Sequence, residues 1–202
     1  MTAGSEEQEL KDRLSLIESM IAEGRRSTER WGWCFVFWGV AYYVALAWSI
    51  LGHNSWAWLI TMTAGWLVMM AILRRKAKQQ TENKPSTRAG SSISAIWTAM
   101  GISMMMLFPA MGFSGRFTPQ MFVAVAGAML GTTNAASGMI LKWKAQIVCA
   151  VVWWTASAVA CFTNVMQCTI VFLAAIFYCH IVFGVYAMIC EARRSRQGVA
   201  HA

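Results

Sequence analysis

The stretch Val123–Leu141, V-A-V-A-G-A-M-L-G-T-T-N-A-A-S-G-M-I-L, decides the fold class. It lies in an apolar run that Pro119 opens and Lys142 closes, about one bilayer long as a helix. Ala124, Gly127, Gly131, Ala135 and Gly138 recur at steps of three or four, so they share one helical face. Gly127 and Gly131 also form a G-x-x-x-G. In lipid, helices gain no apolar burial by associating, so close backbone approach and interhelical hydrogen bonds must hold them together. A helix with such a groove, and with Thr132, Thr133, Asn134 and Ser137 beside it, is poorly suited to lipid on all sides. The spacing predicts the central and most buried helix of an all-α membrane bundle.

The rest of the 202-residue chain extends the pattern. It is 57% hydrophobic and only 13% charged, against about 25% charged in soluble domains. Six charge-free blocks follow one another: Trp31–Leu51, Trp56–Leu73, Ile93–Phe113, Pro119–Leu141, Ala145–Thr163 and Thr169–Cys190. Each can cross ~30 Å of hydrocarbon as a helix, the one open-chain structure that satisfies its own backbone there. No secretory signal peptide is legible.

Orientation follows from Lys and Arg. Residues 1–30 carry five, residues 74–92 six, residues 142–144 two, and the segment after Cys190 three. The three alternate loops hold one, Arg116. The expected organisation is a cytosolic amphipathic helix over 1–30, a six-helix transmembrane domain over 31–190 with a cytosolic linker at 74–92, and a basic cytosolic tail over 191–202. Both termini would face the cytoplasm of a multi-pass protein of the plasma (inner) membrane. The formal charge of +8 is thereby a topology signal, and no nucleic-acid partner is expected. Trp31, Trp33, Trp97 and Trp143 fall at inner boundaries and Trp48, Trp56 and Trp58 at outer ones, whereas Trp153 and Trp154 are mid-span and should pack inside.

Within residues 5–30, Ser5 and Gln8 have capping-box spacing. Glu7–Lys11 and Glu9–Arg13 are i,i+4 pairs. Leu10, Leu14, Ile17 and Ile21 step by four, three and four, as in a coiled-coil seam. Two uses fit: a helix lying on the membrane or bundle, or a self-association or partner-docking helix. The segment I17-E-S-M-I-A-E-G-R-R, followed by a first span with Gly32 and Gly39, resembles the start of a group of small bacterial membrane proteins with about six spans. The resemblance implies a similar topology and no activity.

Chemistry-bearing residues are few. His180 is the one His within a span, and intramembrane ionisable residues are functional candidates. A hydrogen bond to another helix is expected for it, with Asn134 or a fifth-span hydroxyl as partner. Gly184, one turn on, should let that face approach a neighbour. The candidate polar core is His180, Asn134, Thr132, Thr133 and Ser137; Gly127, Gly131, Ala135 and Gly138 are the candidate packing residues. The six cysteines lack C-x-x-C spacing, so free apolar thiols are expected, and no cofactor, metal or catalytic residue is assigned. Gly112-Phe113-Ser114-Gly115 resembles the G-x-S-G of rhomboid-type intramembrane serine proteases. It departs from them because Ser114 sits at the outer boundary while His180 lies ~15 Å into its span. No acid lies within a span, which removes the usual groups for carboxylate-coupled cation transport. The expectation is a non-enzymatic membrane protein acting as an oligomeric or accessory subunit. The alternative is a small-molecule or ion transporter or channel with a polar path near Asn134 and His180.

Overall fold

The structure, a computed structural model, describes residues 3–53, 56–79 and 88–200; the chain is all-helical, with no strand among them. In order, the helices are α1 (Ala3–Arg30), α2 (Gly32–Leu51), α3 (Ala57–Gln79), α4 (Arg88–Phe113), α5 (Pro119–Ile140), α6 (Lys144–Ala160), α7 (Val165–Ile176) and α8 (Phe183–Ala200). A π-helical turn, Phe177–Val182, joins α7 and α8 into one rod. Four helical segments are long and apolar enough to cross a membrane: those containing α2, α4, α5 and α7–α8. The apolar lengths Ala57–Ile72 and Lys144–Ala160 are shorter.

Sequence and local geometry agree at several helix ends. Thr118 caps α5, its hydroxyl accepting from the Met121 amide at 3.2 Å, with Pro119 in the first turn. Asn164 and Gln167 form a reciprocal capping box at the start of α7. Between α5 and α6 the Trp143 amide donates to Gly138 O at 2.8 Å and the Lys142 amide to Met139 O at 3.3 Å. Lys142 takes the left-handed conformation, φ 49°. This is a Schellman ending with lysine where glycine is usual, and it folds α6 straight back onto α5.

α5 is the most buried of the four candidate spans, with 56% of its apolar window covered. Its small-residue stripe lies against α6. A Cβ on Gly127 would meet Trp153 O at 2.9 Å, one on Gly138 would meet Ile147 Cδ1 at 2.8 Å, and one on Gly131 would overlap the Trp154 indole. α2 crosses α8 as closely: Gly32 and Gly184 face each other's carbonyl oxygens, at 2.8 Å from an added Cβ. The core is aromatic in layers. Tyr42, Trp58, Phe122 and Phe172 interlock at one level, Phe35, Trp153 and His180 at the next, and Trp143 with Phe183 beyond.

Four expectations change. α1 begins at Ala3, so Ser5 is inside the helix rather than its cap. α8 continues to Ala200; charge marks where an apolar span leaves lipid, not where a helix ends, so residues 191–200 extend the rod instead of forming a separate tail. The linker 74–92 is helical at both ends, through Gln79 and from Arg88, and its middle lies outside the described residues. Trp154 is exposed on α6: the Gly131 contact holds one edge of its indole and leaves the other outward.

Candidate functional site

The sequence-predicted polar residues separate into an inner and an outer set. His180, Asn134, Thr133 and Ser137 are buried, whereas Thr132 is exposed. His180 sits on the π turn. Its ring is edge-on to three others: Trp153 at 5.6 Å between centroids, Tyr42 at 5.8 Å and Phe35 at 6.2 Å. Such edge-to-face contacts suit the ring quadrupoles. The backbone of α2 reaches this level through Gly39, where a Cβ would stand 3.0 Å from His180 Cβ. A π turn adds a residue to the helical register and recurs at functional positions; here it carries the imidazole of the α7–α8 rod.

The hydrogen bond expected from Asn134 or a fifth-span hydroxyl is not formed at Nδ1, which is buried without a partner. The physical reason is local competition. Asn134 donates to Leu130 O on its own helix at 2.8 Å, and Ser157 on α6 donates across to Ala124 O on α5. Nearby backbone carbonyls capture these donors before a distant imidazole can. Ser137 does engage another helix, accepting from the Trp97 indole at 3.2 Å. Asn134 Oδ1, Trp153 Nε1 and both amide atoms of Gln146 are likewise buried and unpartnered. Gln146 was missed by sequence reasoning, since a lone amide next to Lys144 reads as a boundary residue. Its full burial is visible only in the packed bundle.

A second site was also missed. Glu29, at the end of α1, is 1% exposed. Arg25 Nε and Arg194 Nη2 stand 3.3 and 3.2 Å from its Oε1, and the Arg25 guanidinium lies 5.2 Å over the Trp143 ring. α1, α8 and the turn between α5 and α6 meet at this cluster. The signal in the sequence is a carboxylate in the last turn of a helix, where the dipole disfavours it.

Ser114, in the turn after α4, is exposed and donates to Met111 O at 2.9 Å, and it is not among the rings packed around His180. All six cysteines are free thiols, and Cys179 Sγ donates to Cys149 O across helices. Among the described residues no three of His, Cys, Asp and Glu converge as metal ligands.

Two open cavities lie on the bundle's flanks, and the first touches the polar core only at Thr133. One, of about 370 Å³, runs between α4 and α5 and is lined by Ala99, Ser103, Ala128 and Thr132 among others. The other, of about 360 Å³, runs between α2 and α3. Neither reaches His180 or Asn134. No protein-family model, no curated protein and no solved structure matches the chain.

Proposed function

We propose that the chain is a small, non-enzymatic integral membrane protein that works by association, as a homo-oligomer or an accessory subunit of a larger membrane complex. In this reading it has six spans with both ends cytoplasmic, as the apolar blocks and the placement of Lys and Arg imply, and it resides in a plasma (inner) membrane. The observation that carries it is α4. Only 6% of its apolar length is buried, its main partners are α1 and α5, and a Cβ added at Gly101 would meet no atom of another element within 4 Å. The groove beside it presents Ala99 and Ala128 and the hydroxyls of Ser103, Thr132 and Thr133 among Ile96, Met100 and Met129. Small residues and hydroxyls on a lipid-facing flank are what membrane helices use to meet one another.

A second reading, transport of a neutral or anionic solute, is favoured by the unpartnered buried atoms of His180, Asn134 and Gln146. Light scattering on the purified chain in mild detergent should give a mass of two or more copies. Ala99→Trp and Ala128→Trp, which fill the groove, should shift that mass towards one copy without lowering the melting temperature. A single-copy mass at every concentration, with solute uptake into proteoliposomes that His180→Gln abolishes, would select transport instead.

A further inference from the structure

The exposed half of α1 carries an apolar stripe without a cover. Leu10, Leu14 and Ile17 are 59, 54 and 53% exposed, and Ile21 continues the line towards the bundle. One turn further along the same face, Gly24 and Thr28 are buried. The stripe therefore begins as a packed contact with the chain's own helices, α4 and α8, and runs on past them. We propose that Glu6–Ile21 of α1 pairs in parallel with the same segment of a second copy of this chain. This rests on the association proposed above and names the surface that delivers it.

Charge selects the occupant. Reading Leu14 and Ile21 as heptad position a, and Leu10 and Ile17 as d, places Glu6 and Arg13 at g and Lys11 and Glu18 at e. In a parallel pair each g residue faces the e residue of the partner's next heptad. Glu6 then faces Lys11 of the second copy, and Arg13 faces Glu18: both contacts are opposite in sign. A membrane surface is a poor alternative cover. Residues 6–19 hold five acids against two bases and no aromatic residue, whereas surface-lying helices are rich in Lys and Arg with aromatic anchors, and the cytoplasmic leaflet is itself negative. Two heptads are marginal as an isolated peptide. Here the membrane domain anchors their C-terminal end and raises the effective concentration of the second copy.

The test uses the full chain in membranes, with single cysteines and a short bis-maleimide. Leu10→Cys should cross-link to its own counterpart at least tenfold more than Ser15→Cys, which points away from the seam. In an antiparallel pair Leu10→Cys would instead link to Ile21→Cys. Two charge variants test the pairing itself: an acidic copy (Lys11→Glu with Arg13→Glu) and a basic copy (Glu6→Lys with Glu18→Lys). Each should lose its own cross-linked dimer, and the mixture should recover it as a heterodimer. Equal linking of Leu10→Cys and Ser15→Cys, linking only to Ile21→Cys, or no preference for the mixed pair each overturns the proposal. If light scattering still shows several copies, the association reading survives that failure; a single-copy mass removes both.

Discussion

Glu29 is a carboxylate closed in between two arginines that keep their own contact with water. Arg25 and Arg194 are 32% and 40% exposed while Glu29 is 1% exposed, so the two signs differ in what their removal leaves behind. Deleting both guanidinium groups strands a buried anion, a change of roughly 3–5 kcal/mol in comparable pairs. Neutralising the carboxylate leaves two cations that can turn outward into solvent, where an ion pair is worth no more than about 1 kcal/mol. The double variant Arg25→Ala/Arg194→Ala should therefore melt several degrees lower in detergent than Glu29→Gln. Equal losses, or the reverse order, would mean that the carboxylate is hydrated and the burial has no energetic content. The end-of-helix position of Glu29 was legible in the sequence but its burial was not, because its neighbours Arg25, Arg26 and Arg30 make it resemble any solvated helix end. Its partner from outside α1 is Arg194 of α8, and the Trp143 ring holds the other partner, Arg25. His180 shows the complementary limit. Its position inside a span and beside a close helix crossing was readable from His180 and Gly184, but its surroundings were not. Which side chains face an imidazole depends on two other helices, α2 and α6, and here they are aromatic rings rather than the expected hydroxyl or amide.

α5 was legible as an element because its signal is one-dimensional: a small residue every three or four positions predicts a close partner whichever helix that partner is. The partner proved to be α6, joined through the turn at Lys142. The contact gives the stripe a graded cost. At Gly127 the obstacle is a backbone carbonyl of α6, 2.9 Å from an added Cβ, whereas at Gly131 it is the Trp154 side chain, which is already half outside. Overpacking costs roughly 1–3 kcal/mol when the site cannot relax. Gly127→Leu should therefore lower the melting temperature by several degrees, and Gly131→Leu by less, because the indole can swing outward and the α6 backbone cannot. Calorimetry or a fluorescence-detected melt checks the order; a Gly127→Leu protein that melts like the parent would place the stripe outside the packed interface. The π turn had no such signal. It adds a single residue to the register between Phe172 and Phe183, two side chains that must both face the core, and apolar residues on every side of Phe177–Val182 hide that offset from any periodicity count.

For the whole molecule, composition points to the class, with which the four long apolar helices agree, and the alternation of Lys and Arg predicts an orientation; both are properties of the bilayer rather than of packing. Span number is less plain in the structure. Lys144–Ala160 has 17 residues, about 26 Å at 1.5 Å per residue, a little short of a ~30 Å hydrocarbon layer; local thinning or snorkelling of flanking residues can absorb such a difference at modest cost. Lys142 and Lys144 at one end of this helix and exposed Cys161 and Phe162 at the other are arranged as a crossing helix requires. If α6 instead lay within one leaflet, the segments on its two sides would emerge on the same face and the alternation of charge would break at Lys142. The two arrangements separate by labelling. In a Cys161→Ser background, a membrane-impermeant maleimide applied to intact cells should modify Ser114→Cys, at the end of α4, and leave Ser195→Cys, on exposed α8, untouched until the cells are lysed. Between those two positions lie α5, α6 and the α7–α8 rod, an odd number of crossings, so opposite accessibility is required if all three span. Labelling of Ser195→Cys before lysis would reduce the crossings to an even number, with the short α6 as the helix that fails to cross.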